Sequence, residues 1–262
     1  MSSQIILLEE VWEDRHADAI VKQLALQGYT SVRPAEHSLL GLSSGLLLLV
    51  KPPLRVVDWK FTPFAKNTFT DSFARKGVLE ATLENPETGI RFVVVGTHMV
   101  ALDTVNGLPK DQGQIAAHAA QTEQILSVVQ RRSENGRVPA LLLGDFNVGP
   151  GYADAAYRKI AEAERLVETG ASLFPGAPLI SWNPGNPLVK YGRYPKEPPA
   201  KIDHVFLQGG ATEGWKALTA GLAFDDPIEG LSITPPNGTA PFPTPLSDHY
   251  GFLVEVELTS AP

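Results

Sequence analysis

Five short polar clusters stand out against the apolar runs of this 262-residue chain. Glu9-Glu10 follows Ile5–Leu8, Thr97-His98 closes the run Phe92–Gly96, and Gly144-Asp145-Phe146-Asn147 follows Ala140–Leu143. Ser247-Asp248-His249 precedes Phe252–Leu258, and Asp203-His204 opens its own run, Ile202–Gln208. The inventory is several carboxylates, an Asn amide and imidazoles. Carboxylate oxygens suit Mg²⁺ or Mn²⁺, hard ions that favour octahedral oxygen and keep several waters. An imidazole takes a proton from water near neutral pH when a carboxylate fixes its tautomer. An amide and a second imidazole donate to the charged oxygens of a phosphate. Together these groups suit water attack on a phosphate ester. Each cluster alone has an ordinary structural reading: the acidic first turn of a helix, an Asx turn, a surface pair. The recurrence of all of them at the ends of apolar runs is what points to one site, because strand ends converge side chains rigidly.

The elements that would hold them can be read from periodicity. Ile5–Leu8 is a short apolar run of strand length, and Asp14–Gly28 has helical spacing through Ala17, Ile20, Val21 and Leu24, with Gly28 as a stop. Leu46–Val50 and Val56–Lys60 read as neighbouring strands. Lys76–Leu83 and Ile90–Thr97 read as a hairpin turning at Asn85-Pro86-Glu87-Thr88-Gly89. Gln112–Arg132 is a long helical pattern, Ala140–Leu143 a buried strand, and Ala153–Glu164 a second helix. Phe174–Pro199 is dense in Pro and Gly and reads as a loop, as does Pro235–Pro245. Ile202–Gln208 and Phe252–Leu258 are the closing strands. Many short strands with a few helices predict a β-sandwich flanked by helices.

Bulk composition narrows the function. With 43% apolar and 19% charged residues the chain can build an ordinary globular core. A net charge of −7 argues against a backbone-gripping nucleic-acid binder, which needs a basic face. The absence of cysteine excludes disulfides and Cys-ligated zinc. No apolar run reaches membrane-spanning length, and no basic-then-apolar leader is seen at the start. The default expectation is a cytoplasmic protein, with secretion following if a signal segment lies upstream of these residues. Neither an internal repeat nor a dividing linker is found, so a single domain over residues 1–262 is expected.

Read together, LLEEVW (Leu7–Trp12), GTHMVA (Gly96–Ala101), LLLGDFNVGP (Leu141–Pro150), KIDHVF (Lys201–Phe206) and LSDHYG (Leu246–Gly251) resemble the endonuclease/exonuclease/phosphatase superfamily. Within it the chain looks most like neutral sphingomyelinases and bacterial phospholipase-C-type enzymes. SSGLLLLVKPPL (Ser43–Leu54), ARKGVLEATL (Ala74–Leu83) and SWNPGNPLVKYG (Ser181–Gly192) add weaker likenesses. The resemblance implies an α+β fold, a four-layer α/β/β/α sandwich of two mixed β-sheets flanked by helices. It implies a Mg²⁺-dependent (Mn²⁺ as substitute) phosphodiesterase of phospholipase-C or sphingomyelinase type. By the same resemblance Glu10 is the main metal ligand, and Asp248 sits beside the metal. His98 donates to a phosphate oxygen, Asp145 orients the attacking water, and Asn147 stabilises charge on phosphorus. His249 is the general base and Asp203 holds its imidazole.

Three departures from that pattern carry expectations. Family members have a strand bearing an Asn ahead of the metal Glu; residues 1–4 are too few for it, which predicts an unpaired sheet edge. Glu9 replaces a usual Gln and is an accessory carboxylate that compensates or points outward. Met99-Val100 replaces a polar pair. A phospholipid-directed enzyme predicts exposed apolar segments, drawn from Leu39–Leu49, Trp59–Phe64 or Phe174–Trp182. The competing readings are a nuclease or a nucleotide or inositol phosphatase, for which Lys190, Arg193, Lys196 and Lys201 are the only basic cluster near the motifs, and a degenerate or truncated non-catalytic member.

Overall fold

The computed structural model describes residues 3–259 apart from residues 164, 193–195, 210–213, 237 and 239, and leaves the side chains of residues 70 and 71 undescribed. Its largest element is a six-stranded mixed sheet. Its strands are β4 (Arg55–Pro63), β5 (Gly77–Glu84), β6 (Arg91–His98), β9 (Ala140–Asp145), β10 (Leu166–Glu168) and β11 (Asp203–Gln208), in the order β10-β11-β9-β6-β5-β4. All neighbours are antiparallel except β6 and β9. The other β layer is split. β1 (Ile5–Leu8), β3 (Leu47–Val50) and β2 (Thr30–Val32) form a three-stranded antiparallel sheet, while β12 (Trp215–Ala223) and β15 (Gly251–Leu258) pair separately. Two-residue ladders, β7 (Thr104–Val105) with β8 (Leu108–Pro109) and β13 (Ser232–Ile233) with β14 (Phe242–Pro243), lie in loops.

The helices are α1 (Asp14–Ala25), α2 (Gln112–Arg132), α3 (Asp154–Ala161), α4 (Thr169–Leu173) and α5 (Pro187–Lys190). Alternation along β3 shows how the layers stack. Leu46, Leu48 and Val50 pack toward β5, β6 and β9 through Leu79, Ala81, Val94 and Leu141, whereas Leu47 and Leu49 pack toward α1 through Ile20, Val21 and Leu24. A third cluster lies on the far face of the large sheet, where Val93, Val95, Leu142 and Phe206 meet Ile125 and Val129 of α2 and Ile160 of α3. The order is therefore α1, split sheet, six-stranded sheet, α2 with α3, as the resemblance implies. Leu46–Val50 is apolar throughout because both of its faces are covered.

Two expectations need correction. Only the six-stranded sheet is mixed; the other layer is antiparallel in two pieces. Leu46–Val50 and Val56–Lys60 are not neighbours: the chain crosses at Pro52-Pro53 from one sheet to the edge of the other. The predicted edge is present, since β1 pairs with β3 alone among the described residues.

Candidate active site

Register brings three of the clusters level. Asp145, the last residue of β9, is the Cα partner of His98 on β6 and of Asp203 on β11. A parallel strand on one side and an antiparallel strand on the other thus end together and place an imidazole and two carboxylates in one row. Gly144 makes the row tight: its φ is +141°, and a Cβ there would lie 1.9 Å from the Thr97 carbonyl oxygen. The second sheet closes over the same end. Leu7 of β1 rests on Gly96 of β6, where a Cβ would come within 2.9 Å of its methyl carbon, and this carries Glu9 and Glu10 to the row. Glu10 (φ +59°) and Asn147 (φ +55°) hold left-handed backbone where their strands end, a conformation that costs of order 1 kcal/mol or more and concentrates at functional sites.

His249 donates from Nδ1 to Asp203 Oδ2 at 2.9 Å, as expected for a base and its orienter. Segment Ser181–Lys190, inside the expected loop Phe174–Pro199 and part of the family-like string Ser181–Gly192, fixes this pair. Ser181 Oγ accepts from the backbone N–H groups of Ile202 and Asp203 at 3.2 Å each, and its carbonyl accepts from Tyr250 N–H at 2.8 Å. Asn186, fully buried, donates to the carbonyls of Ser247 and Asp248 at 2.9 and 3.1 Å. The Trp182 ring meets the His249 ring edge-on with centroids 5.0 Å apart. Inside the preceding turn, Ser247 Oγ accepts from His249 N–H at 3.1 Å.

On the other side of the row, His98 is buried, its Nε2 3.1 Å from Lys76 Nζ and 3.5 Å from Asp145 Oδ2. The lysine donates to that nitrogen. Nδ1 is buried without a partner among the described residues. His98 therefore reaches the site, but here Nε2 accepts from a cation rather than donating. Asn147 is similarly engaged: its backbone N–H donates to Asp145 Oδ1 at 2.8 Å, and its side-chain amide donates to Asp145 Oδ2 and to the Met99 carbonyl at 3.1 Å each. Met99 and Val100 are buried, and they serve the site through the backbone: the Met99 carbonyl also accepts from Lys76 at 3.1 Å. Lys76 is the functional residue the sequence reading missed. Its sequence context carries no signal, because a lysine at the head of a strand is ordinarily solvated.

Lys76, His98, Asp145, Asn147 and His249 line a pocket of about 410 Å³ together with Trp12, Leu42, Phe73, Ala74, Ala101, Leu102, Asp103, Gln114, Tyr152, Trp182, Glu197 and Ile202; Glu10 and Asp248 are on its wall. Negative charge dominates. Burial and then the neighbouring Asp203 push Asp145 up to about 7. Glu9 is half-buried, and burial and then the charges of Asp203 and Asp145 push it well up. Glu10 is raised by burial and then by Asp248. Asp203 is lowered: burial works against its charge, but the His249 charge and hydrogen bond outweigh it. Conversely, burial opposes the His249 charge while Asp203, Asp145 and Asp248 together hold it up at about 10. His98 is depressed by burial and by the Lys76 charge. Carboxylates raised by one another are the surroundings that a hard divalent cation relieves, so the donor set fits Mg²⁺ or Mn²⁺. Asp145, Asp203 and His249 bring ligand-type atoms within 4.8 Å of one another, and both expected metal ligands, Glu10 and Asp248, line the pocket.

With this geometry in hand, comparison with known proteins is direct. The sequence profile of the Endonuclease/Exonuclease/phosphatase family matches residues 2–249. The chain belongs to that family, and it is a metal-dependent phosphoric ester hydrolase. Among solved structures it is similar to sphingomyelinase C from Streptomyces griseocarneus, at 19% identity and TM-score 0.73, over 99% of this chain and 87% of that one. It is also similar to beta toxin from Staphylococcus aureus with bound magnesium ions, at 15% identity and TM-score 0.69, over 99% and 87%. A third likeness is to D. rerio TDP2 complexed with a single-strand DNA product, at 13% identity and TM-score 0.66, over 97% and 86%. At these identities the likeness establishes the fold. The search of curated proteins returned no match.

Proposed function

We propose that this chain is a Mg²⁺-dependent phosphodiesterase of phospholipase-C type that hydrolyses a phospholipid such as sphingomyelin at a lipid–water interface. The observation that carries the reading is the rim of the pocket. Leu42 and Phe73 line it, and the side chains beside them in sequence are bare: Leu39 and Leu40 stand in solvent, as does Phe69, whose ring meets Phe73 edge-on at 5.3 Å. The Ser38 hydroxyl donates to the Phe73 carbonyl at 2.7 Å and joins the two loops into one apolar crown. Large exposed apolar patches mark membrane or protein contact sites, and here the patch borders the catalytic pocket. Of the segments expected to meet lipid, only Leu39, Leu40 and Leu42 belong to this crown. Leu46–Leu49, Phe61, Phe64 and Trp182 are buried, Trp59 lies on the sheet edge, and Phe174 is half exposed.

The nucleic-acid reading loses its basic groove. Lys201 is buried against Glu168, Lys190 lies over the Tyr191 ring, Lys196 is exposed, and Arg193 lies outside the described residues. Lys76 is the one Lys or Arg among the described pocket residues, against the carboxylates of Glu10, Asp103, Asp145, Glu197 and Asp248.

In the proposed reaction, Asp203 holds the His249 imidazole by Nδ1, and Nε2, deprotonated once the surrounding carboxylate charge that holds the ring up is offset, takes the proton of the attacking water. Asp145 orients the water. Lys76 lines the pocket where charge grows on the phosphoryl oxygens, and Asn147 reaches them by exchanging its bond to Asp145 Oδ2 or to the Met99 carbonyl. Glu10 and Asp248 would hold the divalent ion, which when bound neutralises that charge and polarises the leaving oxygen. The reading is tested by phosphocholine release from sphingomyelin vesicles with Mg²⁺. Vesicle turnover that falls at least tenfold (about 1.4 kcal/mol) in L39S/L40S, with bis-p-nitrophenyl phosphate turnover unchanged, supports it. Equal turnover of vesicles by parent and variant, or none by either, contradicts it.

A further inference from the structure

Behind the catalytic row, on the side away from the pocket, lies a buried ionic cluster that the reaction does not use. Lys201, Glu168 and His204 have side chains 2%, 4% and 0% exposed. Lys201 Nζ donates to Glu168 Oε1 at 2.6 Å, to the Asp203 carbonyl at 3.2 Å and to His204 Nδ1 at 3.1 Å, and it sits 4.1 Å from the centroid of the Phe252 ring. His204 Nε2 lies 2.9 Å from the Val148 carbonyl. A carbonyl only accepts, so the proton is on Nε2 and Nδ1 is free to accept from the lysine. Space is cleared for the arrangement: a Cβ on Gly170 would lie 2.8 Å from Lys201 Cε, and one on Gly149 1.7 Å from the Lys201 carbonyl oxygen.

We infer that Lys201, Glu168 and His204 are positioning residues that set the catalytic groups against one another. Each contact ends on a segment that carries one of them. Asp203 is two residues beyond Lys201. Phe252 is three residues beyond His249. Val148 follows Asn147 and lies three residues beyond Asp145. One buried cation with its imidazole thus touches the three segments that carry Asp203, His249, and Asp145 with Asn147. Burying an ammonium and a carboxylate costs several kcal/mol, and well-packed apolar groups of similar volume commonly serve stability as well or better. Directional bonds to two backbone carbonyls, with a cation–ring contact to a third segment, do what apolar packing does not, since displacement of a reacting group by about 1 Å costs on the order of 10²-fold in rate.

The test is a neutral, nearly isosteric pair, K201M/E168Q, beside H204Q, which removes the imidazole that joins Lys201 to the Val148 carbonyl. Turnover of bis-p-nitrophenyl phosphate with Mg²⁺ is measured alongside thermal melting and the downfield NMR signal of the proton shared by His249 and Asp203. The inference predicts a folded double variant whose kcat falls about 10²-fold while KM stays within about twofold, a shifted or lost proton signal, and a smaller kcat loss in H204Q. A folded double variant with kcat and proton signal both near the parent's overturns it, as does a loss carried wholly by KM. The kinetic arm rests on the phosphodiesterase reading and the NMR arm does not: an inactive parent defeats that reading, and the proton signal still decides the inference. If the double variant fails to fold, H204Q decides, with unchanged kcat and signal counting against the proposal.

Discussion

His249 and Asp203 share a hydrogen bond of 2.9 Å, and that bond commits one ring nitrogen and leaves the other for the substrate water. Replacement of His249 by Ala is expected to lower turnover by about 10²–10⁴-fold with the melting temperature unchanged, because the ring is part-exposed and packs chiefly against Trp182. Asp145→Ala is expected to lose a similar factor, and kinetics within a few fold of the parent for either would remove it from the reaction. Glu10→Gln should act on the metal: the Mg²⁺ concentration for half-maximal rate should rise by about 10-fold or more, and an unchanged Mg²⁺ titration would show that Glu10 is not a ligand. Most of these residues were legible in sequence because each sits at the end of an apolar run and carries a chemically committed side chain. Lys76 was not, since a lysine at the start of a strand is ordinarily a solvated end; only the fold shows its ammonium between His98 and the Met99 carbonyl.

Elements, rather than single side chains, decide whether the row exists. Strands β6, β9 and β11 end at one level, and the segment Ser181–Asn186 clamps the turn that carries His249. Asn186→Ala removes the two donations to Ser247 and Asp248 and is expected to cost about 1–3 kcal/mol, read by melting, together with a fall in kcat; a fall in stability with kcat intact would mean that the turn holds its shape unaided. Helix α2 carries a second linkage. His118 is buried in it, 3.0 Å from the Phe146 carbonyl, and burial depresses its imidazole to about 4 from 6.5. A base depressed in the folded state binds fewer protons than in the unfolded state, so its stabilisation is full above about pH 6.5 and drains as pH falls toward about 4. The loss is on the order of 3 kcal/mol, and His118→Gln should flatten the melting curve over that window; a slope unchanged in the variant would assign it elsewhere. The long helix and the hairpin β5–β6 were legible because their periodicity is unambiguous. Strands β2 and β12 were not: β2 has three residues, and β12, Trp215–Ala223, is Ala-rich, half-exposed and bulged between Ala217 and Thr219, so its pattern alternates poorly.

At the scale of the whole molecule, four layers place one pocket where two sheets converge, with an apolar crown on one side of it. The crown should decide between substrates and leave the chemistry alone: Phe69→Ser, like the leucine pair, is expected to weaken vesicle binding in a flotation assay while bis-p-nitrophenyl phosphate kinetics stay constant, and vesicle binding equal to the parent's would remove the crown from the account. No helix among the described residues is long and apolar enough to cross a membrane. The layering followed from the resemblance carried by the motifs. The division of one sheet into pieces of three and two strands concerns which edges meet, and local patterning holds no record of that.

The most direct test of the central claim is hydrolysis of bis-p-nitrophenyl phosphate by the purified chain with Mg²⁺ and with EDTA, using His249→Ala as control. The account predicts turnover that EDTA abolishes, that Mg²⁺ restores, and that the variant lacks at every Mg²⁺ concentration. Turnover that survives EDTA or the loss of His249, or a folded chain with none under any metal, would contradict it.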